Sequence, residues 1–387
     1  MKEVRISPGQ AALLLFILIW PRYLLLVPSL VAEMAEQDAW VANLMGGFNG
    51  VAVVLLLLAV ASLAPGKDLI EAAEEGLGKA GGKLLGTLLL AVFLFMTYTT
   101  LRASSAFIKE TFLRVTPLWA NMVLLVTQGI GGAFYGTEPV ARAGGITVAL
   151  LVAGLIPSVA LLVGQFDPRL LFPVFARGPL PALRGAPISA FPFGEVVALG
   201  MLLPALGGTR RSGPLLAGLL ITWVVTGGLL AVDQGILGWY NLSRIPFSFL
   251  EGLRVVRVPP LLERIEVAVA TIWMLVSFAK IALLFIVQAR AAGCILGLGD
   301  HRPLIPLLAA LTAVFALNVP SQRTVYSRVL FWGGIVSAAL QTLLPAVVVL
   351  GLLWRRRQVT GSARSGHTPR STGRRHASPV RARRARP

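Results

Sequence analysis

Charged side chains are scarce in this sequence of 387 residues. Asp, Glu, Lys and Arg together make up 13% of it, whereas a soluble domain carries roughly 25%. Hydrophobic residues account for 56%, and the mean hydropathy is +0.78. So few charges cannot cover a soluble surface of this size. The composition therefore predicts an integral membrane protein and argues against a soluble enzyme or a disordered chain.

Cysteine and histidine are nearly absent, which excludes several kinds of site. The single cysteine, Cys294, can form neither an internal disulfide nor a cysteine-based metal site. The histidines His301, His367 and His376 lie in a loop and near the C-terminus, without the spacing of metal ligands. The sequence also has no phosphate-binding loop, metalloprotease helix or nucleophile elbow. We therefore predict no bound metal, no cofactor and no enzymatic activity.

Positive charge is concentrated at the C-terminus. The formal net charge is +18, and residues 355–387 supply +11 of it through 11 arginines and no acidic residue. A segment rich in Arg, Ser, Gly and Pro cannot bury a hydrophobic core. We therefore predict a disordered cytoplasmic tail at 355–387 that favours anionic membrane lipid, and no nucleic-acid partner.

Ten apolar segments precede this tail, and their lengths are typical of membrane helices. They span residues 10–30, 40–63, 84–107, 117–136, 143–165, 191–206, 214–233, 264–289, 303–319 and 328–354. An even number of spans places both termini on one side of the membrane, and the basic tail favours the cytoplasm. We predict an all-α polytopic membrane domain at 1–354.

Two of these segments are interrupted. The first contains Trp20-Pro21-Arg22-Tyr23, and the sixth opens at Phe191-Pro192-Phe193-Gly194-Glu195 and includes Gly200. Proline removes a helix hydrogen bond, and in lipid the freed carbonyl groups need buried partners or a cavity. Segments one and six correspond if the ten spans form two inverted repeats, about 8–165 and 191–354. Helices one and six are then discontinuous and flank a binding site; two ordinary proline kinks are the alternative.

Ionisable residues inside apolar segments are energetically costly, so each of them is a candidate for a functional role. The candidates are Arg22, Arg102, Glu195 and Lys280. Arg102 shares a helical face with Tyr98, and Lys280 shares one with Trp273 and Ser277. We expect both faces to point into a cavity shared with segments one and six. The alternatives are that Arg102 reaches toward the membrane surface and that Glu195 only caps a helix.

Short strings along the chain carry a resemblance to a known family. They are Ile6-Ser7-Pro8-Gly9-Gln10, Val27-Pro28-Ser29, Pro65-Gly66-Lys67-Asp68-Leu69-Ile70-Glu71, Leu101-Arg102, Phe191-Pro192-Phe193-Gly194-Glu195 and Phe278-Ala279-Lys280-Ile281. Over about residues 5–354, in this order and spacing, the chain resembles the B subunit of spore germinant receptors. That family lies within the amino acid/polyamine/organocation permease superfamily.

The resemblance implies a LeuT-like fold of ten helices in two inverted five-helix repeats. It also implies a germinant-sensing subunit in the inner membrane of the bacterial spore. Such a subunit binds a small germinant, usually an amino acid, and works with the receptor A and C subunits. One departure is Trp20-Pro21-Arg22, where family members usually carry glycine. Two functions remain open: a receptor that signals to partner subunits, and a secondary transporter of amino acids or polyamines.

We place the predicted ligand between Pro21–Leu25 and Gly194–Met201, because broken helices offer amide donors and free carbonyl acceptors. The predicted ligand-binding residues are Trp20, Pro21, Arg22, Tyr23, Tyr98, Gly194, Glu195, Leu199, Gly200, Trp273 and Ser277. Relatives of this fold hold a cation between helices one and eight. Lys280, with Arg102 as a second candidate, is therefore predicted to replace that cation or to form an ion pair. Glu195 and Glu266 are the carboxylates considered for Lys280.

Overall fold

The structure, a computed structural model, describes residues 6–206, 212–255, 265–318 and 323–365. Within these ranges the chain forms helices and turns, with no strand. The α-helices are α1 (Pro8–Ile19), α2 (Val27–Ala35), α3 (Ala39–Leu63), α4 (Leu69–Thr111), α5 (Leu118–Tyr135), α6 (Thr137–Leu162), α7 (Leu180–Gly194), α8 (Leu203–Leu206), α9 (Ser212–Leu242), α10 (Ser248–Val255), α11 (Ile265–Leu296), α12 (Leu304–Asn318) and α13 (Arg323–Ser365). The predicted all-helical fold is confirmed.

Each predicted apolar segment corresponds to one or two of these helices. The first comprises α1 and α2, and the sixth comprises α7 and α8. In the described part of the chain, seven helical stretches are long and apolar enough to cross a membrane. The molecule is therefore an integral multi-pass membrane protein. The sixth segment begins at Leu180 and not at 191, because Arg184 and Pro187 weaken the apolar signal of its first turns.

Helix α1 begins and ends for reasons that the sequence supplies. Ser7 Oγ accepts from the Gln10 amide at 3.2 Å, and Gln10 Oε1 accepts from the Ser7 amide at 2.7 Å, which forms a capping box. The helix ends at Ile19, because Pro21 lacks an amide hydrogen and its ring crowds the preceding turn. A single 3₁₀ turn at Trp20–Arg22 and an irregular stretch then separate α1 from α2.

The sixth segment is interrupted in a different way. Helix α7 contains Pro187 and Pro192, and it passes into a 3₁₀ segment at Glu195–Leu202. Runs of 3₁₀ helix longer than three or four residues are uncommon, and this one has eight. The short helix α8 completes the segment. Both predicted helix breaks are therefore present.

The 3₁₀ segment Glu195–Leu202 lies at the centre of the bundle. It contacts α1, α3, α4, α11 and α13. Around it, α11 packs against α4, α5 and α6, and α7 packs against α2 and α3. Helix α13 packs against α3, α4 and α7. The second break is therefore surrounded by α1 and by four long helices, α3, α4, α11 and α13.

Helix α13 runs to Ser365, past the predicted limit of the membrane domain at residue 354. Residues 366–387, which form most of the predicted tail, lie outside the described residues. The disorder of the tail, the limits of the repeats at 8–165 and 191–354, and the cytoplasmic placement of the termini stay predictions.

Candidate ligand-binding site

A buried carboxylate lies where the two broken helices meet. Glu195, the first residue of the 3₁₀ segment, has no exposed surface. Its Oε1 accepts a hydrogen bond from Arg22 Nε at 2.6 Å, and its Oε2 accepts one from Lys280 Nζ at 2.5 Å. This single carboxylate joins the first and sixth segments to α11. The three residues are called the triad below.

Arg22 is held by α4 and α7 as well as by Glu195. Its Nη2 lies within hydrogen-bond distance of the Met96 carbonyl (2.9 Å), Thr99 Oγ1 (2.8 Å) and Thr100 Oγ1 (3.1 Å). Its guanidinium stacks over the Phe191 ring, with Cζ 4.5 Å from the ring centroid. The side chain is only 4% exposed. These contacts fix the orientation of the guanidinium.

The two threonine hydroxyls can accept from Arg22 because they donate elsewhere. Thr100 Oγ1 donates to the Met96 carbonyl at 2.7 Å, and Thr99 Oγ1 lies 2.8 Å from the Phe95 carbonyl. Bonds of this kind to the preceding turn use the hydroxyl hydrogen and leave lone pairs for another donor. Helix α4 therefore presents acceptors to the guanidinium.

Helix α11 supplies partners for the carbonyl groups that the first break releases. Lys280 Nζ donates to the Leu18 carbonyl at 2.5 Å, and Trp273 Nε1 donates to the Pro21 carbonyl at 2.9 Å. In a regular α-helix the Leu25 amide would bond to Pro21, but here it bonds to the following carbonyl at 3.1 Å. Two side chains of α11 thus take the place of backbone hydrogen bonds.

The charges of the triad do not balance formally. It contains two basic side chains and one carboxylate, and all three are at most 4% exposed. Removing one member of a buried ion pair costs about 3–5 kcal/mol, because the remaining charge keeps its desolvation penalty. A second anionic group beside Arg22 and Lys280 would neutralise the site. Counted formally, the triad therefore carries one excess positive charge.

The aromatic residues of the first break are buried around the triad. Trp20 stacks on Phe16 with ring centroids 5.1 Å apart, and its Nε1 has no hydrogen-bond partner among the described residues. Tyr23 donates from its hydroxyl to Asn43 Oδ1 at 2.7 Å and packs against Phe193. Trp20 therefore offers a buried donor, whereas Tyr23 is tied to α3.

The predicted site residues of α4 and α11 take different positions. Tyr98 is half-buried against Phe95, with ring centroids 5.2 Å apart, and Arg102 is buried further along α4. Trp273 packs edge-on against Phe107. The Ser277 hydroxyl is buried, with no hydrogen-bond partner in the described part of the chain.

The two predicted glycines face neighbouring helices. A β-carbon added at Gly194 would lie 2.6 Å from Asn49 Nδ2 and 2.9 Å from Gln341 Cδ. One added at Gly200 would lie 2.9 Å from Leu69 Cδ2. These distances are too short for a larger residue, so the glycines allow close packing at the second break. Leu199, between them in sequence, is also buried.

Several residues that hold the triad were not among the predicted site residues. They are Leu18, Met96, Thr99, Thr100 and Phe191. Leu18 and Met96 act through their carbonyl groups, which no side-chain pattern reveals. The threonines could have been found from the sequence, because Thr97, Thr99 and Thr100 cluster in an otherwise apolar segment. Of the two carboxylates considered for Lys280, the structure places Glu195 against it.

Polar contacts join the residues that follow α2 to the connection between α6 and α7. Gln37 Nε2 donates to the Leu170 carbonyl at 2.6 Å, and the Phe175 amide donates to Asp38 Oδ1 at 2.8 Å. Glu36 pairs with Arg177 at 2.6 Å. The connection between α6 and α7 is thereby tied across the end of the first segment.

A second set of contacts lies at the opposite end of the bundle. Arg290 donates to the Met201 carbonyl at 3.4 Å and to Thr137 Oγ1 at 3.2 Å. Cys294 Sγ donates to Asp68 Oδ2 at 3.3 Å. Polar contacts therefore lie at both ends of the bundle, and the triad between them has little exposed surface.

Comparison with known proteins identifies the family. Residues 5–324 match the family described as spore germination protein. The chain belongs to this family. Spore germination protein KB of Bacillus subtilis (strain 168) is 26% identical to it, over 73% of this chain and 76% of that protein. Spore germination protein YndE of the same organism is 22% identical, over 91% of this chain and 98% of that protein.

The fold is also found in a solved transporter structure. The chain superposes on Mhp1, a nucleobase-cation-symport-1 family transporter, in a closed conformation with bromovinylhydantoin bound. The TM-score is 0.67, with 15% sequence identity, over 90% of this chain and 78% of that chain. At this identity the similarity shows the fold alone. The protein is a spore germination family membrane protein with a transporter-like, LeuT-like fold.

Proposed function

We propose that the protein is the germinant-sensing membrane subunit of a spore germination receptor. It binds a small amino-acid-like ligand at the triad and passes the signal to partner subunits in the spore inner membrane. Family membership supports the role in germination. The triad supports the ligand class, because it brings two basic groups and one carboxylate to the junction of both broken helices.

The formal positive charge of the triad is the observation that carries this proposal. A ligand carboxylate competes with Glu195 for Arg22, whose planar guanidinium suits carboxylate recognition. The ammonium group of the ligand then bonds to the second lone pair of the Leu18 or the Pro21 carbonyl, each of which already accepts one hydrogen bond from α11. Since Glu195 begins the 3₁₀ segment after α7, its displacement moves the sixth segment relative to the first.

A binding measurement on purified protein tests the ligand class. The full-length protein in lipid nanodiscs is titrated with each of the twenty L-amino acids by isothermal titration calorimetry. At least one should bind, and Arg22→Gln should weaken that binding by about tenfold or more, because a charge-assisted hydrogen bond contributes about 1.5–3 kcal/mol. The exposed Arg142, replaced by Gln, provides the matched control. Undiminished binding to Arg22→Gln would contradict the proposal.

The partners we propose are the receptor A and C subunits, together with membrane lipid. Co-expression with tagged A and C subunits, followed by affinity purification, should recover this chain in a fixed ratio. A known B subunit, co-expressed with the same A and C subunits, is the positive control. If that subunit is recovered with A and C but this chain is not, the assignment of partners is wrong.

The transporter-like fold favours one alternative, a secondary transporter of amino acids or polyamines. The two functions differ in what the chain does by itself. Proteoliposomes that contain this chain alone should bind the identified amino acid without concentrating it inside. Accumulation of the labelled amino acid, or of spermidine, against a gradient would favour the transporter.

A further inference from the structure

A fully buried amide lies beside the break of α7. Gln341, on α13, has no exposed surface, and neither its Oε1 nor its Nε2 has a hydrogen-bond partner among the described residues. Its amide covers Gly194, the last residue of α7, as the 2.9 Å distance from an added β-carbon to Gln341 Cδ shows. The amide therefore faces the residue that precedes Glu195.

A hydroxyl group lies one turn away on the same helix. Ser337 is buried, and its Oγ also lacks a hydrogen-bond partner within the described ranges. Gly334 lies against Phe191, because a β-carbon added there would be 3.7 Å from that side chain. Residues 334, 337 and 341 share one helical face. Helix α13 therefore presents a hydroxyl and an amide to the last turn of α7.

The neighbouring amide of Asn49 behaves differently. Its Nδ2 donates to the Ala190 carbonyl at 2.9 Å, and its Oδ1 accepts from Thr342 Oγ1 at 2.6 Å. Asn49 thus fastens α3 to α7 and α13. The packing at this junction can satisfy a buried amide, so the unsatisfied amide of Gln341 is not a general consequence of crowding.

Burying an amide without a partner is unfavourable, and most buried polar groups in proteins are hydrogen-bonded. Leucine has a similar size and would remove this cost. Helix α13 instead carries two buried polar side chains, Ser337 and Gln341, which have no hydrogen-bond partner among the described residues. They lie one turn apart, next to the proposed ligand site. A polar group that enters between α13 and α7 would satisfy both of them.

The Phe191 side chain contacts both the triad and α13. Arg22 stacks over it, with Cζ 4.5 Å from the ring centroid, and Gly334 of α13 lies against the same side chain. Gln341 faces Gly194, which directly precedes Glu195, so this face of α13 adjoins the triad through two residues of α7.

We propose that Gln341 and Ser337 form a second polar subsite, which binds an uncharged hydrogen-bonding group of the ligand, such as a hydroxyl or a carboxamide. An amide and a hydroxyl both donate and accept, so they complement a group that does the same. The inference rests on the proposed amino-acid site at the triad. It narrows the ligand class to amino acids with polar, uncharged side chains.

The test uses L-threonine and L-valine, which have the same shape and differ by a hydroxyl in place of a methyl group. Both are titrated into the full-length protein in nanodiscs. Wild type should bind L-threonine about tenfold more tightly, as expected for the gain of a buried hydrogen bond. Gln341→Leu should bring the two affinities close together while L-valine binding is retained. Ser337→Ala should also reduce the difference between the two affinities. It replaces Gln341→Leu in the test if that variant does not fold.

Asn121 provides the matched control. It is a second fully buried amide without a partner among the described residues, and it lies on α5, which packs against α4, α6, α11 and α12. Asn121→Leu should keep the preference for L-threonine.

The remaining outcomes separate the subsite from the proposed function. A wild type that binds both amino acids equally, or a preference that survives Gln341→Leu, leaves the amino-acid site standing and overturns the subsite. If Gln341→Leu has a higher Tm and unchanged affinities for both amino acids, Gln341 and Ser337 do not contact the ligand, and the subsite proposal is also overturned. A wild type that binds no amino acid overturns the proposed function, and the subsite with it.

Discussion

The Lys280 ammonium on α11 donates to the Leu18 carbonyl in the last turn of α1, at 2.5 Å. The same Nζ donates to Glu195 at the second break, also at 2.5 Å. One side chain of α11 therefore stabilises the released carbonyl of the first break and the carboxylate of the second. Neither break can rearrange without changing a contact of Lys280.

Replacing Lys280 with Met should destabilise the folded protein. The variant leaves Glu195 with one partner and leaves the Leu18 carbonyl without its ammonium donor. We expect a loss of about 3–5 kcal/mol, measured as a lower Tm in detergent and accompanied by loss of the germination response. The exposed Lys83, replaced by Met, should leave both unchanged. A normal Tm and a normal response for Lys280→Met would show that Lys280 is a bystander.

Trp273→Phe separates the hydrogen bond of the indole from its packing. Phenylalanine keeps an aromatic ring against Phe107 but cannot donate to the Pro21 carbonyl. An unsatisfied buried carbonyl costs about 1–3 kcal/mol, so the Tm should fall and the germinant dose response should shift. Trp332, which is 66% exposed, provides the control substitution by Phe. Equal behaviour of the two variants would mean that the Pro21 contact contributes nothing.

His301, in the loop before α12, should make stability depend on pH. Burial and the nearby Arg290 lower the pKa of His301 below its ordinary value of 6.5. Between the lowered pKa and 6.5, the unfolded chain binds more protons than the folded one. Stability should therefore fall as pH decreases through that window. His301→Gln should reduce this slope when Tm is measured from pH 7.5 to pH 5; an unchanged slope would contradict the assignment.

The arginine-rich C-terminal residues should act on lipid and not on folding. Deleting residues 366–387 removes positive charge, and each arginine near an anionic surface contributes about 1 kcal/mol to binding. We expect an unchanged Tm and weaker co-sedimentation with phosphatidylglycerol vesicles than with full-length protein. A deletion that prevents membrane insertion would show that these residues belong to the folded unit.

The sequence predicted the features that proline and charge determine. Proline in an apolar segment cannot continue a helix, so the break at Pro21 could be predicted from one residue. A charge inside a membrane helix needs a partner, so Arg22, Glu195 and Lys280 could be singled out as candidates, and the structure pairs them with one another. Helix limits were harder to predict. Helix α7 begins at Leu180 and not at 191, because Arg184 and Pro187 lower the hydrophobicity and the helix propensity of its first turns.

The parts that could not be predicted depend on backbone groups and on long-range packing. The carbonyl groups of Leu18 and Met96 carry no sequence signature, yet they bind Lys280 and Arg22. Gln341 comes to Gly194 only because α13 packs against α7. Gln341 is one amide in an otherwise apolar segment. Its contact with Gly194 could not be predicted without knowing which helix packs against α13.

In the proposed mechanism, a ligand carboxylate competes with Glu195 for Arg22. Isothermal titration calorimetry of the best-binding amino acid, performed in parallel on wild type, Arg22→Gln and Glu195→Gln, measures this competition. We expect opposite changes: weaker binding for Arg22→Gln, because the guanidinium is lost, and tighter binding for Glu195→Gln, because the competing carboxylate is lost. Glu195→Asp, which withdraws the carboxylate from both cations, should change the affinity in the same direction as Glu195→Gln. Affinities that fall in all three variants, or that change in none, would show that the ligand does not compete with Glu195 for Arg22.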